Sequence, residues 1–110
     1  MKQGDIYWAN LNPSRGREQS GRRPVVIISG DAMNDNFDVS IICPISSIIK
    51  NYTGCLIVKK NKINNLKTDS EIITFQVRAI AKERLVKKIG QISGQEFSNA
   101  ICLLNEVLKY

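Results

Sequence analysis

Pro24-Val25-Val26-Ile27-Ile28 is the stretch that decides the fold. Four consecutive apolar residues behind a proline leave no polar alternate, so a strand here is buried on both faces. Its neighbours must then supply cover above and below. Asp5-Ile6-Tyr7-Trp8-Ala9-Asn10-Leu11 reads as a strand that stops at the turn signal Asn12-Pro13. Val39 to Ile45 is another, with Pro44 confining its end to an edge, bulge or terminus. Residues 55–59 and 71–80 make two more, separated by a Lys- and Asn-rich loop from Lys59 to Asp69. Leu85 to Ile92 follows, weakened by Lys87-Lys88 and Gly90. Gly30 to Asn36 reads as a polar loop. The expected fold is mainly β, a small barrel or sandwich of five to seven strands.

The chain closes with a helix. Ser93-Gly94-Gln95-Glu96 fits a capping box, in which serine and glutamate satisfy each other's backbone N–H groups. Phe97, Ala100, Ile101, Leu104 and Leu108 form one apolar stripe, to be buried by a barrel edge or a dimer partner.

With 110 residues, positions 1–110 are read as a single domain, large enough for one modest core. No apolar run reaches the roughly 20 residues that span a bilayer, and Met1-Lys2-Gln3-Gly4-Asp5 lacks the features of a secretory signal. A cytoplasmic protein without a membrane partner is therefore expected. There is no histidine, which excludes Ser-His-Asp and two-histidine ribonuclease mechanisms. Cys43, Cys55 and Cys102 are widely spaced and odd in number, and read as reduced, packed thiols. Neither a metal nor a cofactor is expected.

The net charge is +6, and its densest part is Arg15 to Pro24, with four arginines and two glycines in ten positions. Guanidinium forks suit phosphate oxygens, and Pro24 holds Arg23 extended at a strand entrance. Arg17 and Arg22 ride on the loop itself. Composition leaves two readings open, a solvated charged loop or a phosphate-binding one. Strand alternation places Gln76, Arg78 and Ile80 on one face of the 71–80 strand. Ser46 and Ser47 put hydroxyls at the end of the strand containing Pro44.

These stretches carry a resemblance. Gly4-Asp5-Ile6-Tyr7-Trp8, Leu11, Pro13, Gly16, Glu18-Gln19, Gly21 and Arg23 to Ile28 resemble the opening of the MazF/PemK toxins. The similarity continues through Cys43-Pro44-Ile45-Ser46-Ser47, through Gln76 to Ile80, and into the last helix. It implies an SH3-like barrel of the CcdB/PemK/MazF type with a C-terminal helix, assembled as a homodimer. It also implies metal-independent, sequence-specific cleavage of single-stranded RNA by the toxin of a toxin–antitoxin pair. The family's arginine before proline falls on Arg23 and its strand-end hydroxyl, usually threonine, on Ser46. Its acidic loop position falls on Glu18, and its later Gln and Arg on Gln76 and Arg78. Some members place an acid before that Gln and a histidine before the loop glutamate; here these are Phe75 and Arg17.

The chemistry open to these residues uses the ribose 2′-OH as nucleophile. Arg23 serves as electrostatic clamp on the phosphorane and Ser46 as donor to a non-bridging oxygen. Glu18 is either the general base or an orienter of Arg23; the sequence leaves both roles standing. The products are a 2′,3′-cyclic phosphate, or its 3′-phosphate, and a 5′-OH end. RNA binding falls to Arg15, Arg17, Gln19, Arg22, Ser47, Lys50, Tyr52, Gln76 and Arg78. Asn51, Lys59, Lys60, Asn61 and Asn64 are further readers of unstacked bases. The expected partners are an acidic cognate antitoxin, which fills the basic cleft and shares DNA binding, and a second copy of the chain. Two other functions fit the same barrel: a non-catalytic gyrase poison of the CcdB type, and a basic nucleic-acid-binding module.

Overall fold

The computed structural model describes residues 1–109. Its strands are β1 (Asp5–Asn10), β2 (Arg22–Ile27), β3 (Val39–Ser46), β4 (Cys55–Val58), β5 (Ser70–Ile73), β6 (Arg78–Ala81) and β7 (Leu85–Gln91). A short helix α1 (Asp31–Asn36) precedes β3, and α2 (Gly94–Lys109) ends the chain. The strands form one sheet in the order β4-β5-β3-β2-β1-β7, with β6 also on β3. Every pairing is antiparallel.

Strand β2 is buried on both faces, as its sequence requires. Val25 and Ile27 enter one apolar cluster with Ala9, Leu11, Ile42 and Ile80. Val26 and Ile28 enter another with Ile6, Cys43, Ile45 and Ile72. Each side chain of this kind contributes about 1.5–3 kcal/mol when fully buried. The curled sheet wraps these two clusters.

The expected strand over 71–80 is split. Residues 70–73 pair with the C-terminal end of β3, where Ser46 faces Glu71, and 78–81 pair with its N-terminal half. Between them lies a 3-10 turn, Thr74–Gln76. Both the N–H and the hydroxyl of buried Thr74 donate to the Gly54 carbonyl, at 2.9 and 2.7 Å, and draw the chain out of the ladder. Gln76 therefore sits on a turn, and it does not share a strand face with Arg78 and Ile80.

The polar stretch 31–36 is helix α1, not a loop. Its buried Asn34 holds Ser29 and Ser40 through its side chain, a polar anchor that no apolar stripe announces. In α2 the capping box forms: Glu96 N–H donates to Ser93 Oγ at 3.1 Å, and Ser93 N–H donates to Glu96 Oε1 at 2.8 Å. The helix lies on β4 and the 74–76 turn. Phe97, Ala100, Ile101 and Leu104 are covered to differing extents, while Leu108 turns out to solvent. The barrel itself thus covers most of this stripe, and Val25 to Ile28 leave no surplus apolar surface for a dimer partner. No helix among the described residues is long and apolar enough to cross a membrane.

Candidate active site

Two loops meet over the end of β3. The first, residues 12–21, joins β1 to β2, and the second, 47–54, joins β3 to β4. Between them lies a pocket of about 480 Å³ whose walls include Arg17, Gln19, Arg23, Ser46, Ser47, Lys50, Tyr52 and Gln76. Eight of the residues expected from sequence to touch RNA are therefore brought together.

Arg23 reaches the pocket from β2, where it faces Ala9 across the ladder. Its Nε donates to the Ser20 carbonyl at 3.0 Å, which aims the guanidinium and leaves the terminal nitrogens for a ligand. Partial burial lowers its pKa, because desolvation disfavours the charged form. A poorly hydrated cation gains correspondingly more from an anionic partner. Ser46 is buried at the end of β3. Its Oγ accepts the Ile48 N–H at 3.1 Å and donates to the Ile48 carbonyl at a long 3.3 Å, a weak bond that a better acceptor displaces. Lys50 Nζ stands over the Tyr52 ring, 5.8 Å from its centroid.

Gln76 spends both ends of its amide on the first loop. Its Oε1 accepts the Gln19 N–H at 2.7 Å and its Nε2 donates to the Arg17 carbonyl at 3.2 Å. Gln19 Oε1, buried in the wall, has no partner among the described residues.

Other expected residues lie elsewhere. Glu18 does not line the pocket; its Oε1 accepts the Arg15 N–H at 2.7 Å and closes a turn of the exposed loop. Arg15 is exposed on that turn. Arg22 lines an adjoining cavity of about 840 Å³, which shares Arg23 and Ser47 with the first and adds Trp8, Lys67, Lys87 and Lys88. Arg78 is half-buried on β6 opposite Ile42, outside both cavities. Asn64 is fully buried and structural: it accepts the Asn61 and Leu66 N–H groups and donates to the Lys59 carbonyl.

Ile48, Cys55, Glu71, Ile73 and Phe75 also line the pocket without having been expected there, and two of them bear on its chemistry. Phe75, exposed on the 74–76 turn, forms part of the wall. Glu71 does too, and it is the carboxylate the pocket contains. In the sequence Glu71 stands at the polar edge of a strand, after Asp69-Ser70 and before Ile72-Ile73, where a charge reads as an exposed strand start and not as a buried site residue.

Fold and pocket together define a small β-barrel that presents a cationic cleft between two loops. The chain belongs to the PemK-like, MazF-like toxins of type II toxin-antitoxin systems, a family whose model matches residues 2–108. It is 37% identical over 106 residues to the Endoribonuclease MazF of Staphylococcus saprophyticus subsp. saprophyticus, covering 92% of this chain and 88% of that one. It is 31% identical over 114 residues to Endoribonuclease MazF9 of Mycobacterium tuberculosis, covering 99% and 93%. Among solved structures, MazF from Deinococcus radiodurans superposes with a TM-score of 0.87 at 21% identity, over 100% of this chain and 97% of that one. A MazE-MazF structure from the same organism gives 0.78 at 22% identity, over 99% and 96%.

Proposed function

We infer that this chain is an endoribonuclease toxin that cuts single-stranded RNA, messenger RNA included, at a recurring short sequence and so blocks translation. The observation that carries this reading is the convergence of Arg23, Ser46, Arg17 and Lys50 on one pocket, with relatives named endoribonucleases beside it. A phosphodiester placed there meets a guanidinium, a hydroxyl and two further cations. In-line attack by the adjacent 2′-OH raises the charge on the phosphorane, and Arg23 and Ser46 stabilise that charge more than they stabilise the ground state. The 2′-O–P bond forms as the P–O5′ bond breaks; the 2′-OH proton passes to water or to Glu18, the departing 5′-oxygen takes one up, and the products are a 2′,3′-cyclic phosphate and a 5′-OH end. Glu18 takes the 2′-OH proton only if its turn opens and releases the Arg15 N–H, so Glu18→Gln separates a base from a loop brace.

An acidic antitoxin fits the same cleft, since the charged side chains at the open rim of the pocket and the adjoining cavity are all cationic. The MazE-MazF structures of Deinococcus radiodurans support that choice. A homodimer joins two such clefts into one groove; sedimentation showing an active monomer at micromolar concentration removes it. The test of the activity is to incubate pure protein with a long single-stranded RNA, with and without EDTA, and map the ends. Cuts at one short motif, with 5′-OH ends and no effect of EDTA, are the expected result. Intact RNA, or cleavage that EDTA stops and Mg²⁺ restores, overturns it.

A further inference from the structure

Glu71 is a buried carboxylate, 2% exposed, in the wall of a pocket otherwise suited to anions. It stands on β5 directly opposite Ser46 of β3, so the two side chains share a face. Its Oε1 accepts the N–H of Lys50 at 3.2 Å and of Asn51 at 3.0 Å. Such charge-assisted bonds are what make a buried carboxylate tolerable. The neighbouring Cys55 thiol is pushed up to about 11, by burial first and then by its hydrogen bond to Glu71 and that residue's charge.

The loop that Glu71 grips has little else to hold it. Residues 47–53 are all exposed, and Asn51 adopts a left-handed φ of 55° where Glu71 meets it. The Ser46 hydroxyl ties one end through Ile48, and the Cys55 N–H ties the other by donating to the Tyr52 carbonyl at 2.9 Å. Among the described residues, the middle is fixed by Glu71. That middle carries Lys50 and Tyr52, the cation and the ring at the pocket mouth.

We propose that Glu71 is a positioning residue: its carboxylate holds the 47–54 loop so that Lys50 and Tyr52 face the substrate, and it takes no proton from the 2′-OH. Two N–H groups already occupy its Oε1, and the group it serves is a loop, not the phosphate. This inference rests on reading the pocket as the RNA-cleaving site.

The order of three substitutions decides the matter. Glu71→Gln keeps length and an acceptor oxygen but removes the charge. Glu71→Asp keeps the charge but falls one methylene short, and Glu71→Ala loses the acceptor. Amide hydrogen exchange at Lys50 and Asn51 is read without RNA, and cleavage is read as KM and kcat separately. The Gln variant is expected within about threefold of wild type in both, while Asp and Ala exchange those amides about tenfold faster and raise KM about tenfold with kcat nearly kept. Loss of kcat by about 10² in Gln with activity retained in Asp makes Glu71 a base and overturns the proposal. Unchanged exchange in both Asp and Ala overturns it as well. A wild-type protein that leaves RNA intact defeats the reading of the site, while the exchange measurement still decides whether Glu71 holds the loop. Should Ala or Asp fail to fold, the isosteric Gln variant carries the test through its kcat and its exchange.

Discussion

The Gln19 backbone N–H donates to the Gln76 side-chain oxygen at 2.7 Å, across 57 positions of sequence. The same amide donates to the Arg17 carbonyl, so one side chain fixes two successive corners of the arginine-rich loop. Gln76 thus shapes the binding surface from beneath it. Replacing it with alanine removes two hydrogen bonds, each worth about 1 kcal/mol. Gln76→Ala is expected to raise KM for RNA by about tenfold with a smaller change in kcat, and Gln76→Glu, which keeps the acceptor for Gln19, to fall between. Equal and near wild-type kinetics for both variants would show that the loop holds itself.

Arg23→Ala is expected to lower single-turnover cleavage by about 10²–10³ while leaving most RNA affinity in place, because one transition-state donor is lost among several phosphate contacts. Arg23→Lys keeps the charge without the fork and recovers little. Arg17→Ala, on the loop, is expected to lose affinity more than rate. Cleavage under saturating protein and filter binding on the same RNA check all three.

Gly90 is where the 59–69 loop crosses β7. A Cβ there would lie 2.7 Å from the Asn64 carbonyl oxygen and 2.8 Å from its carbon, both backbone atoms. Buried Asn64 cannot retreat without giving up its own bonds to Lys59, Asn61 and Leu66. Gly90→Ala is expected to cost about 1–3 kcal/mol and to lower Tm by several degrees. An unchanged melting curve would mean that the loop slides freely over the strand.

The three thiols differ in reach. Cys102 is exposed on α2, whereas Cys43 and Cys55 are buried. Burial pushes the Cys43 thiol from its ordinary 9.0 up to about 12. At pH 8 an alkylating reagent is expected to label Cys102 alone in the native protein, and all three in denaturant, as mass spectrometry will count. The sign of the linkage follows: below pH 9 Cys43 is protonated in both states and costs nothing. Above it the unfolded chain releases a proton that the folded one keeps, so stability falls by about 1 kcal/mol per pH unit until about pH 12. Cys55, pushed up to about 11, adds a slope of the same sign, so urea titrations from pH 8 to 11 should show the fall become shallower in Cys43→Val without vanishing.

The two-sided strand and the capped helix were legible because each rests on local pattern: Val25 to Ile28 admits no exposed face, and Ser93 with Glu96 closes its own box. The break at 74–76 was not, since it depends on Thr74 finding the Gly54 carbonyl 20 residues away. The split sheet explains why Gln76 parts from Arg78. Arg23 and Ser46, singled out by the resemblance, lie at the start of β2 and the end of β3 and line one pocket. The sequence pointed to Glu18, the carboxylate of the resembling loop motif, and passed over Glu71, because register across a sheet is not visible in a linear pattern. Only the pairing of Ser46 with Glu71 reveals which carboxylate shares the pocket.

Glu71 and Gln76, five positions apart, reach out to opposite loops, and neither loop packs an apolar core of its own. Shape and wording are thereby separated: the grip sits in the barrel, while the side chains the loops present to the cleft sit on backbone that the barrel holds through N–H and C=O groups. Loops of equal length can therefore be exchanged between members without rebuilding the clasp. On the proposed reading of the pocket, drift at exposed loop positions such as Ser20, Ile48 or Thr53 would change what the cleft contacts while leaving the barrel's hold on both loops intact.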